Sequence, residues 1–287
     1  MFSGVRGGDF LQYFAPTALN EALDLMASED LNIIAGGTDA FPARGQTPLQ
    51  KGLLDITRID GLSGLEWTST GLRIGAATSW SEIARADLPT CFAALQAAAR
   101  DVGSVQIQNS GTIAGNICNA SPAADGMPPL LTLGAEVELA GPSEIRQMPL
   151  QDFVTGPRRT QLRPGELVTA ITIPALPPHT RSAFEKLGSR KYLVISITMV
   201  AVVIGCDGEG RIDFARVAVG ACSPVAKRLI GLEADLIGQM PQQVVITPDH
   251  LSPLSPISDI RADADYRLDV VSEQITRAIH KAALPNG

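Results

Sequence analysis

The chain has 287 residues, 45% of them hydrophobic, and a formal net charge of −7 at pH 7. This length allows about two domains with full cores, and an acidic balance without a basic stripe argues against nucleic-acid binding. The four cysteines are scattered, with no C-x-x-C pair and no Cys/His cluster, which argues against a metal or iron–sulfur site within this chain.

The sequence also predicts a cytoplasmic protein without a membrane span. The N-terminus lacks the apolar core of a signal peptide. The longest apolar run, residues 193–204, is shorter than a bilayer requires. Widely spaced cysteines in a chain of this size fit a reducing compartment better than a disulfide framework.

The N-terminal part of the chain reads as a small β–α–β unit. Apolar residues at helical spacing follow Thr17, which predicts a helix with Thr17 as its N-cap. Residues 31–35 and 53–57 are short apolar runs that predict strands. The first of these strands ends directly at Gly36 and Gly37.

The middle of the chain carries alternating helix and strand signals. Ser79, followed three residues later by Glu82, forms a capping-box pattern at the start of a helix. Residues 104–113 read as extended. The other predicted elements here are a hairpin of strands 62–68 and 72–77, helices 90–100 and 126–133, and strands 135–140 and 167–173.

After a proline-rich boundary at residues 175–179, the pattern becomes β-rich. The apolar runs 193–204 and 212–219 flank the segment Asp207-Gly208-Glu209-Gly210, which predicts a hairpin. Three further elements are predicted: a helix at 226–238, a proline-punctuated loop at 241–256, and a long amphipathic helix from Ala264.

Two segments of small and polar residues are candidate phosphate-binding loops. One is IIAGGTD, residues 33–39, and the other is GTIAGNICNASPAADGMP, residues 111–128. Both offer backbone N–H groups without bulky side chains in front of them, as a phosphate-bearing cofactor requires. We expect the second segment to be a loop outside the core. The sequence contains neither the Rossmann fingerprint nor the P-loop, so these loops are of another type.

Three motifs resemble the FAD-binding subunit of the molybdenum hydroxylases, the family of xanthine dehydrogenase and carbon monoxide dehydrogenase. IIAGGTDAFP resembles the family's first pyrophosphate loop. TIAGNICNASPAAD resembles its second, T-[IL]-G-G-N-[IL]-x-x-x-S-P-x-x-D, with Ala114 in place of the first glycine of the usual pair. Phe184-Glu185-Lys186 with Arg190 resembles its [FY]-x-K-x-x-x-R segment. The resemblance runs from about Leu11 to Ala283.

The resemblance implies an α+β protein with a FAD-binding fold of the vanillyl-alcohol oxidase (PCMH) type. Two α+β subdomains, residues 1–58 and 59–176, would grip the flavin of a bound FAD. A C-terminal CO dehydrogenase flavoprotein-like α/β lobe would occupy residues 180–287.

The same resemblance assigns roles to individual residues. The first loop would give backbone N–H groups to the pyrophosphate, and Thr112 would donate its hydroxyl to a phosphate oxygen. Asp125 would accept hydrogen bonds from ribitol or ribose hydroxyls, and Lys186 would stabilise reduced flavin at its N1–C2 edge. The predicted FAD-binding residues are Ala35, Gly36, Gly37, Thr38, Asp39, Ala76, Thr78, Thr112, Ala114, Gly115, Asn116, Ser121, Asp125 and Lys186. No catalytic residue or metal ligand is predicted.

Several of these residues have plainer interpretations. Asp125 fits the N-cap of a helix beginning at Gly126, and Lys186 fits a solvated strand lysine. Ala76 and Thr78, which the resemblance places against the isoalloxazine ring, fit ordinary sheet packing. Ala114 would strain the backbone if its position required a positive φ.

The resemblance further implies an electron relay within a larger assembly. A small subunit with two [2Fe–2S] clusters would deliver electrons, and a large subunit with the molybdenum cofactor, molybdopterin, would hydroxylate the substrate. FAD would pass the electrons to NAD⁺, a quinone or O₂, in a heterotrimer that dimerises. Two alternatives stay open: a self-contained FAD oxidoreductase of the same fold, and a scaffold subunit that has lost FAD.

Overall fold

The computed structural model describes residues 12–190 and 195–284 and has the mixed α+β content expected. The helices are α1 (Leu19–Ser28), α2 (Trp80–Arg85), α3 (Ala93–Asp101), α4 (Val105–Ser110), α5 (Ile113–Asn119), α6 (Met127–Leu133), α7 (Leu150–Phe153), α8 (Ile230–Leu236), α9 (Pro248–Leu251) and α10 (Ala264–Ala283). The strands are β1 (Tyr13–Phe14), β2 (Leu31–Ile34), β3 (Gly52–Asp55), β4 (Leu65–Thr68), β5 (Gly71–Gly75), β6 (Glu136–Ala140), β7 (Ile145–Pro149), β8 (Val154–Gly156), β9 (Arg159–Thr160), β10 (Leu167–Pro174), β11 (Arg181–Leu187), β12 (Thr198–Cys206), β13 (Ile212–Gly220) and β14 (Lys227–Arg228).

The N-terminal unit is a three-stranded parallel sheet in the order β1-β3-β2, with α1 alongside. Leu54 of the central strand and Ala22 of α1 are fully buried members of one apolar cluster. Both predicted strands are therefore present. The predicted cap is wrong, because α1 begins one residue later, after Ala18, which makes no side-chain capping bond.

The second unit is a five-stranded antiparallel sheet in the order β4-β5-β10-β6-β7. Helices α2, α3, α5 and α6 contribute Trp80, Leu95, Ile113 and Leu130 to one large buried cluster with the inner face of this sheet. The capping box that begins α2 is present: the Ser79 side chain accepts from the Glu82 N–H, and the Glu82 carboxylate accepts from the Ser79 N–H. This confirms the predicted start of the helix.

The C-terminal lobe is a four-stranded antiparallel sheet in the order β11-β12-β13-β14, packed against α10. The turn at residues 207–210 joins β12 and β13, as predicted, with Gly210 at φ +81°. Helix α10 is capped by Asp263, whose carboxylate accepts from the Tyr266 N–H at 2.7 Å. Residues 193–194 of the predicted strand lie outside the described residues.

Within the described ranges, no helix is long and apolar enough to cross a membrane.

Two predictions for the centre of the chain are wrong. Residues 104–113 are not extended, since they contain α4, whose N-cap Ser104 accepts from the Ile107 N–H at 3.3 Å. Residues 111–128 are not a loop outside the core, since they contain α5, whose Ile117 is fully buried. Small and polar residues on one side of α5 concealed its apolar side.

Two predictions near the C-terminus are only partly right. The helix expected at 226–238 is shorter, because β14 takes the first residues and pairs with β13, leaving α8 to follow. The loop expected at 241–256 contains the short helix α9 and a single 3₁₀ turn at 241–243.

Candidate functional site

The two glycine-rich segments form two walls of a cleft of ≈ 280 Å³. One wall is the segment 33–40, which begins with the last two residues of β2. The other includes the first turns of α5, and Trp80 and Val102 also line the cleft. Eight predicted residues line it: Ala35, Gly36, Gly37, Thr38, Asp39, Thr112, Gly115 and Asn116.

Close backbone contact fixes the first wall. A Cβ atom built on Gly36 would lie 1.7 Å from the carbonyl oxygen of Ser110, so only glycine fits there. Gly37 has φ +65°, a conformation that glycine adopts at little cost. In the described part of the chain, no group accepts from the N–H of Gly36, Gly37 or Thr38. Unpaired N–H groups that line a cleft form a site for an anion such as phosphate.

Thr112 fixes the start of the second wall. It forms an antiparallel bridge with Ser79, which joins the start of α5 to the start of α2. Its Oγ1 accepts from the Gly115 N–H at 3.1 Å and so caps α5. A hydroxyl that accepts in this way still has its own proton to donate. The Thr112 hydroxyl therefore keeps a proton to donate, and its contact with a phosphate oxygen stays a prediction.

Asn116 brings a buried acceptor without a partner to the cleft. Its Oδ1 is buried and accepts no hydrogen bond from any described residue. This oxygen lies 3.0 Å from the position of a Cβ built on Gly126, a residue of the same glycine-rich segment. Buried polar groups are nearly always hydrogen-bonded, and an orphan costs stability. A ligand group that donates to Asn116 would remove that cost.

Asp125 and Lys186 meet each other in a buried ion pair. Lys186 Nζ donates to Asp125 Oδ2 at 2.8 Å and to the carbonyl oxygen of Asp101 at 3.1 Å. Ser196 Oγ donates to Asp125 Oδ1 at 2.7 Å. Burial raises the pKa of Asp125 above its usual value, while the Lys186 ammonium and the Ser196 hydroxyl act in the opposite direction. Neither Asp125 nor Lys186 lines the cleft, and their link to it is the Asp101 carbonyl, whose neighbour Val102 is a lining residue.

The plainer interpretations of these two residues are wrong. Asp125 is not the N-cap of α6, because Gly126 holds that position without a side-chain bond. Lys186 is not a solvated lysine, because its side chain is only 10% exposed.

Four predicted residues lie away from the cleft. Ala76 and Thr78 are fully buried, and the Thr78 hydroxyl donates to the Gly64 carbonyl at 3.0 Å, which is the sheet-packing arrangement. Ala114 is buried in the core at a helical position without a positive φ, so its methyl group causes no strain. Ser121 lines a second cavity of ≈ 300 Å³. Contact of these four residues with a cofactor stays a prediction.

The predicted set left out nine residues that line the cleft: Ile33, Ile34, Ala40, Trp80, Val102, Ile107, Gly111, Cys118 and Asn119. Cys118 and Asn119 follow Gly115 by three and four residues, so recognition of α5 would have placed them on the same side. Burial raises the pKa of the Cys118 thiol to about 12, which keeps it protonated and unreactive at neutral pH.

Comparison with known proteins decides the family. A model described as the FAD-binding domain in molybdopterin dehydrogenase matches residues 8–176, which is more than half of the chain. The chain belongs to the FAD-binding subunits of the molybdopterin dehydrogenase family. A second model, described as the CO dehydrogenase flavoprotein C-terminal domain, matches residues 182–282 of this FAD subunit.

Relatives match the FAD subunit over nearly its whole length. The glyceraldehyde dehydrogenase medium chain of Sulfolobus acidocaldarius is 31% identical, over 94% of this chain and 98% of its own. The xanthine dehydrogenase FAD-binding subunit of Escherichia coli O157:H7 is 29% identical, over 97% of this chain and 98% of its own.

Solved structures agree with this assignment. A chain of carbon monoxide dehydrogenase from Hydrogenophaga pseudoflava superposes with a TM-score of 0.84 at 27% identity, covering 95% of this chain and 96% of its own. A chain of quinoline 2-oxidoreductase from Pseudomonas putida 86 gives 0.82 at 26% identity, covering 95% and 96%. The predicted family, fold and FAD cofactor are confirmed, and the protein is a FAD-dependent oxidoreductase subunit. The cleft residues fit this cofactor, since unpaired N–H groups suit its pyrophosphate and the Asn116 acceptor suits one of its N–H or O–H groups.

Proposed function

We propose that this FAD subunit relays electrons within a molybdopterin-dependent hydroxylase. Electrons would arrive from [2Fe–2S] clusters of a small partner subunit and leave to NAD⁺, a quinone or O₂. The observation that carries the proposal is the cleft between the two glycine-rich segments, with unpaired N–H groups at Gly36, Gly37 and Thr38.

Both walls of the cleft would bind the phosphates. The N–H groups of Gly36, Gly37 and Thr38 would donate to one set of phosphate oxygens, and the Thr112 hydroxyl to another. FAD bound there supplies a carrier that accepts and releases electrons singly or in pairs. Asn116 would accept a hydrogen bond from the cofactor and so hold its orientation.

Lys186 and Asp125 would set the charge beside the flavin. The Lys186 ammonium is a cation in a nearly water-free position, where charges interact more strongly than in water. It would favour the anionic reduced cofactor. Asp125 partly neutralises that positive charge through its 2.8 Å ion pair with Lys186. The pair together would therefore set the reduction potential of the flavin.

Other chains would supply the remaining centres. Among the described residues, no group of three or more His, Cys, Asp or Glu side chains could hold a metal ion. The relatives are named as medium chains or FAD-binding subunits, which supports a heterotrimer with an iron–sulfur small subunit and a molybdopterin large subunit. We retain the division into 1–58, 59–176 and 180–287 as part of this proposal.

The test compares the isolated chain with the complex obtained by co-expression of its partners. The relay predicts stoichiometric FAD and rapid flavin reduction by substrate in the complex, with no reduction in the isolated chain. Stopped-flow absorbance at 450 nm, a wavelength chosen for oxidised flavin, follows this step (roughly millisecond resolution suffices for typical turnover). Turnover by the isolated chain would instead identify a self-contained oxidoreductase. A complex without FAD would identify a scaffold.

A further inference from the structure

Ser196, which no sequence motif singled out, is bound directly to Asp125. Its Oγ donates to Asp125 Oδ1 at 2.7 Å, while Lys186 Nζ donates to Oδ2 at 2.8 Å. Each carboxylate oxygen thus has its own donor. The three residues come from separate parts of the fold: the segment after α5, strand β11, and the residues just before β12.

We propose that Ser196 is a positioning residue of the flavin site, which holds the Asp125 carboxylate ionised and in a fixed orientation. This inference rests on the proposed role of Asp125 and Lys186 beside FAD. Ser196 is only 3% exposed, so its hydroxyl is committed to this contact rather than to bulk water.

The Asp125 carboxylate needs both donors because its surroundings oppose its charge. Burial disfavours the ionised form, and the nearby Asp101 carboxylate adds repulsion. Lys186 and Ser196 are the groups that favour ionisation. Lys186 also donates to the Asp101 carbonyl oxygen at 3.1 Å, so its three N–H groups are not all available to Asp125. Without Ser196, Oδ1 would lose its donor while still buried.

The position of Ser196 is fixed by the C-terminal lobe. The neighbouring residue Ile197 donates its N–H to the Leu187 carbonyl at 2.8 Å and accepts from the Arg267 guanidinium. The segment that carries Asp125 is tied to the same lobe, since Ala221 N–H donates to the Pro122 carbonyl at 3.0 Å. Ser196 and Asp125 therefore have little freedom to separate, which is what a positioning contact requires.

The test uses variants matched in shape. Ser196→Thr keeps the hydroxyl, and Ser196→Val has the same branched shape without it. The Asp125 carboxyl carbon is followed by ¹³C NMR from pH 3 to 8, a range chosen to span an upward-shifted carboxyl, in the FAD-free full chain. Asp125→Asn identifies its signal. FAD dissociation constants are then measured across the same range by quenching of flavin fluorescence.

We expect the Val variant to titrate about one pH unit higher than wild type and to bind FAD about ten-fold more weakly, the effect of one lost bond to a charged group. The Thr variant should match wild type in both measurements. Equal titration midpoints in the Val variant and wild type, or equal loss of FAD in both variants, would overturn the inference. The NMR titration needs no FAD and decides whether Ser196 holds the Asp125 carboxylate, whereas absence of FAD from the co-expressed complex would refute the proposed function.

Discussion

Replacement of Gly36 by alanine tests whether the approach of the two walls creates the proposed FAD cleft. The new Cβ would lie 1.7 Å from the Ser110 carbonyl oxygen, 2.4 Å from its carbonyl carbon and 2.9 Å from the Gly111 nitrogen. Real Cβ atoms essentially never come within 3.0 Å of a non-bonded heavy atom, so Gly36 and Ser110 must separate by about 1.3 Å. All three atoms belong to the backbone, and no side-chain rotation relieves the clash.

The cost should lie at the upper end for overpacked positions, about 3 kcal/mol. In a chain of this size, that corresponds to a fall in Tm of roughly 6–12 °C. FAD affinity should fall at least ten-fold, because the Gly36 and Gly37 N–H groups move away from Thr112. Differential scanning fluorimetry and flavin fluorescence titration measure the two effects.

Gly208→Ala is the matched control, since Gly208 lies in the β12–β13 turn, lacks a positive φ and has no atom within 4 Å of a built Cβ. It should change neither Tm nor FAD affinity. A Gly36→Ala chain that melts and binds FAD like wild type would refute the idea that this contact sets the width of the cleft.

Three further predictions concern single side chains. Thr112→Ala should lower the free energy of unfolding by about 1 kcal/mol through loss of the α5 cap, and it should weaken FAD binding. Thr112→Ser keeps the hydroxyl and should preserve both stability and FAD affinity. Urea denaturation and FAD titration measure the two effects. Lys186→Met should lower the free energy of unfolding by about 3–5 kcal/mol, because it leaves the Asp125 carboxylate buried without its cation. Adding Asp125→Asn should restore most of this loss. A double mutant whose loss equals the sum of the two single losses would contradict the ion pair. The pKa of Asp259 is lowered to about 2, chiefly by the hydrogen bond from the Arg261 backbone N–H. Asp259 therefore stabilises the fold at pH values above its unfolded-state pKa of about 4, and this stabilisation is lost as the pH falls toward 2. Asp259→Asn should therefore lower Tm at pH 7 and not at pH 2, and an equal loss at both pH values would contradict this origin.

The sequence predicted the parts of the fold that depend on local patterns. The Ser79 capping box, the turn at 207–210 and the amphipathic run after Asp263 each carry their own signal, and each is present. The first wall of the cleft was predictable for the same reason, since a strand that ends in Gly36-Gly37 is a local signal.

The parts that depend on contacts distant in sequence were not predictable. Asp125 and Lys186 were named separately, and nothing in their sequence positions places them 2.8 Å apart. Ser196 escaped notice because a serine before a strand has no distinctive pattern. Helix α5 was missed because its glycine and asparagines, which lower helix propensity, line the cleft, while burial of Ile113 and Ile117 stabilises it.

FAD bound in the cleft as proposed would link two parts of the chain that meet at Gly36 and Ser110. These two parts lie far apart in sequence and meet without a covalent link. A cofactor that binds both walls through its phosphate groups would hold them together. A ligand present at 100 times its dissociation constant adds about 2.7 kcal/mol to folding stability. Polypeptide made faster than FAD is supplied would therefore be less stable and would be degraded sooner. The cell's flavin supply would thus regulate how much of the subunit survives to meet its partners.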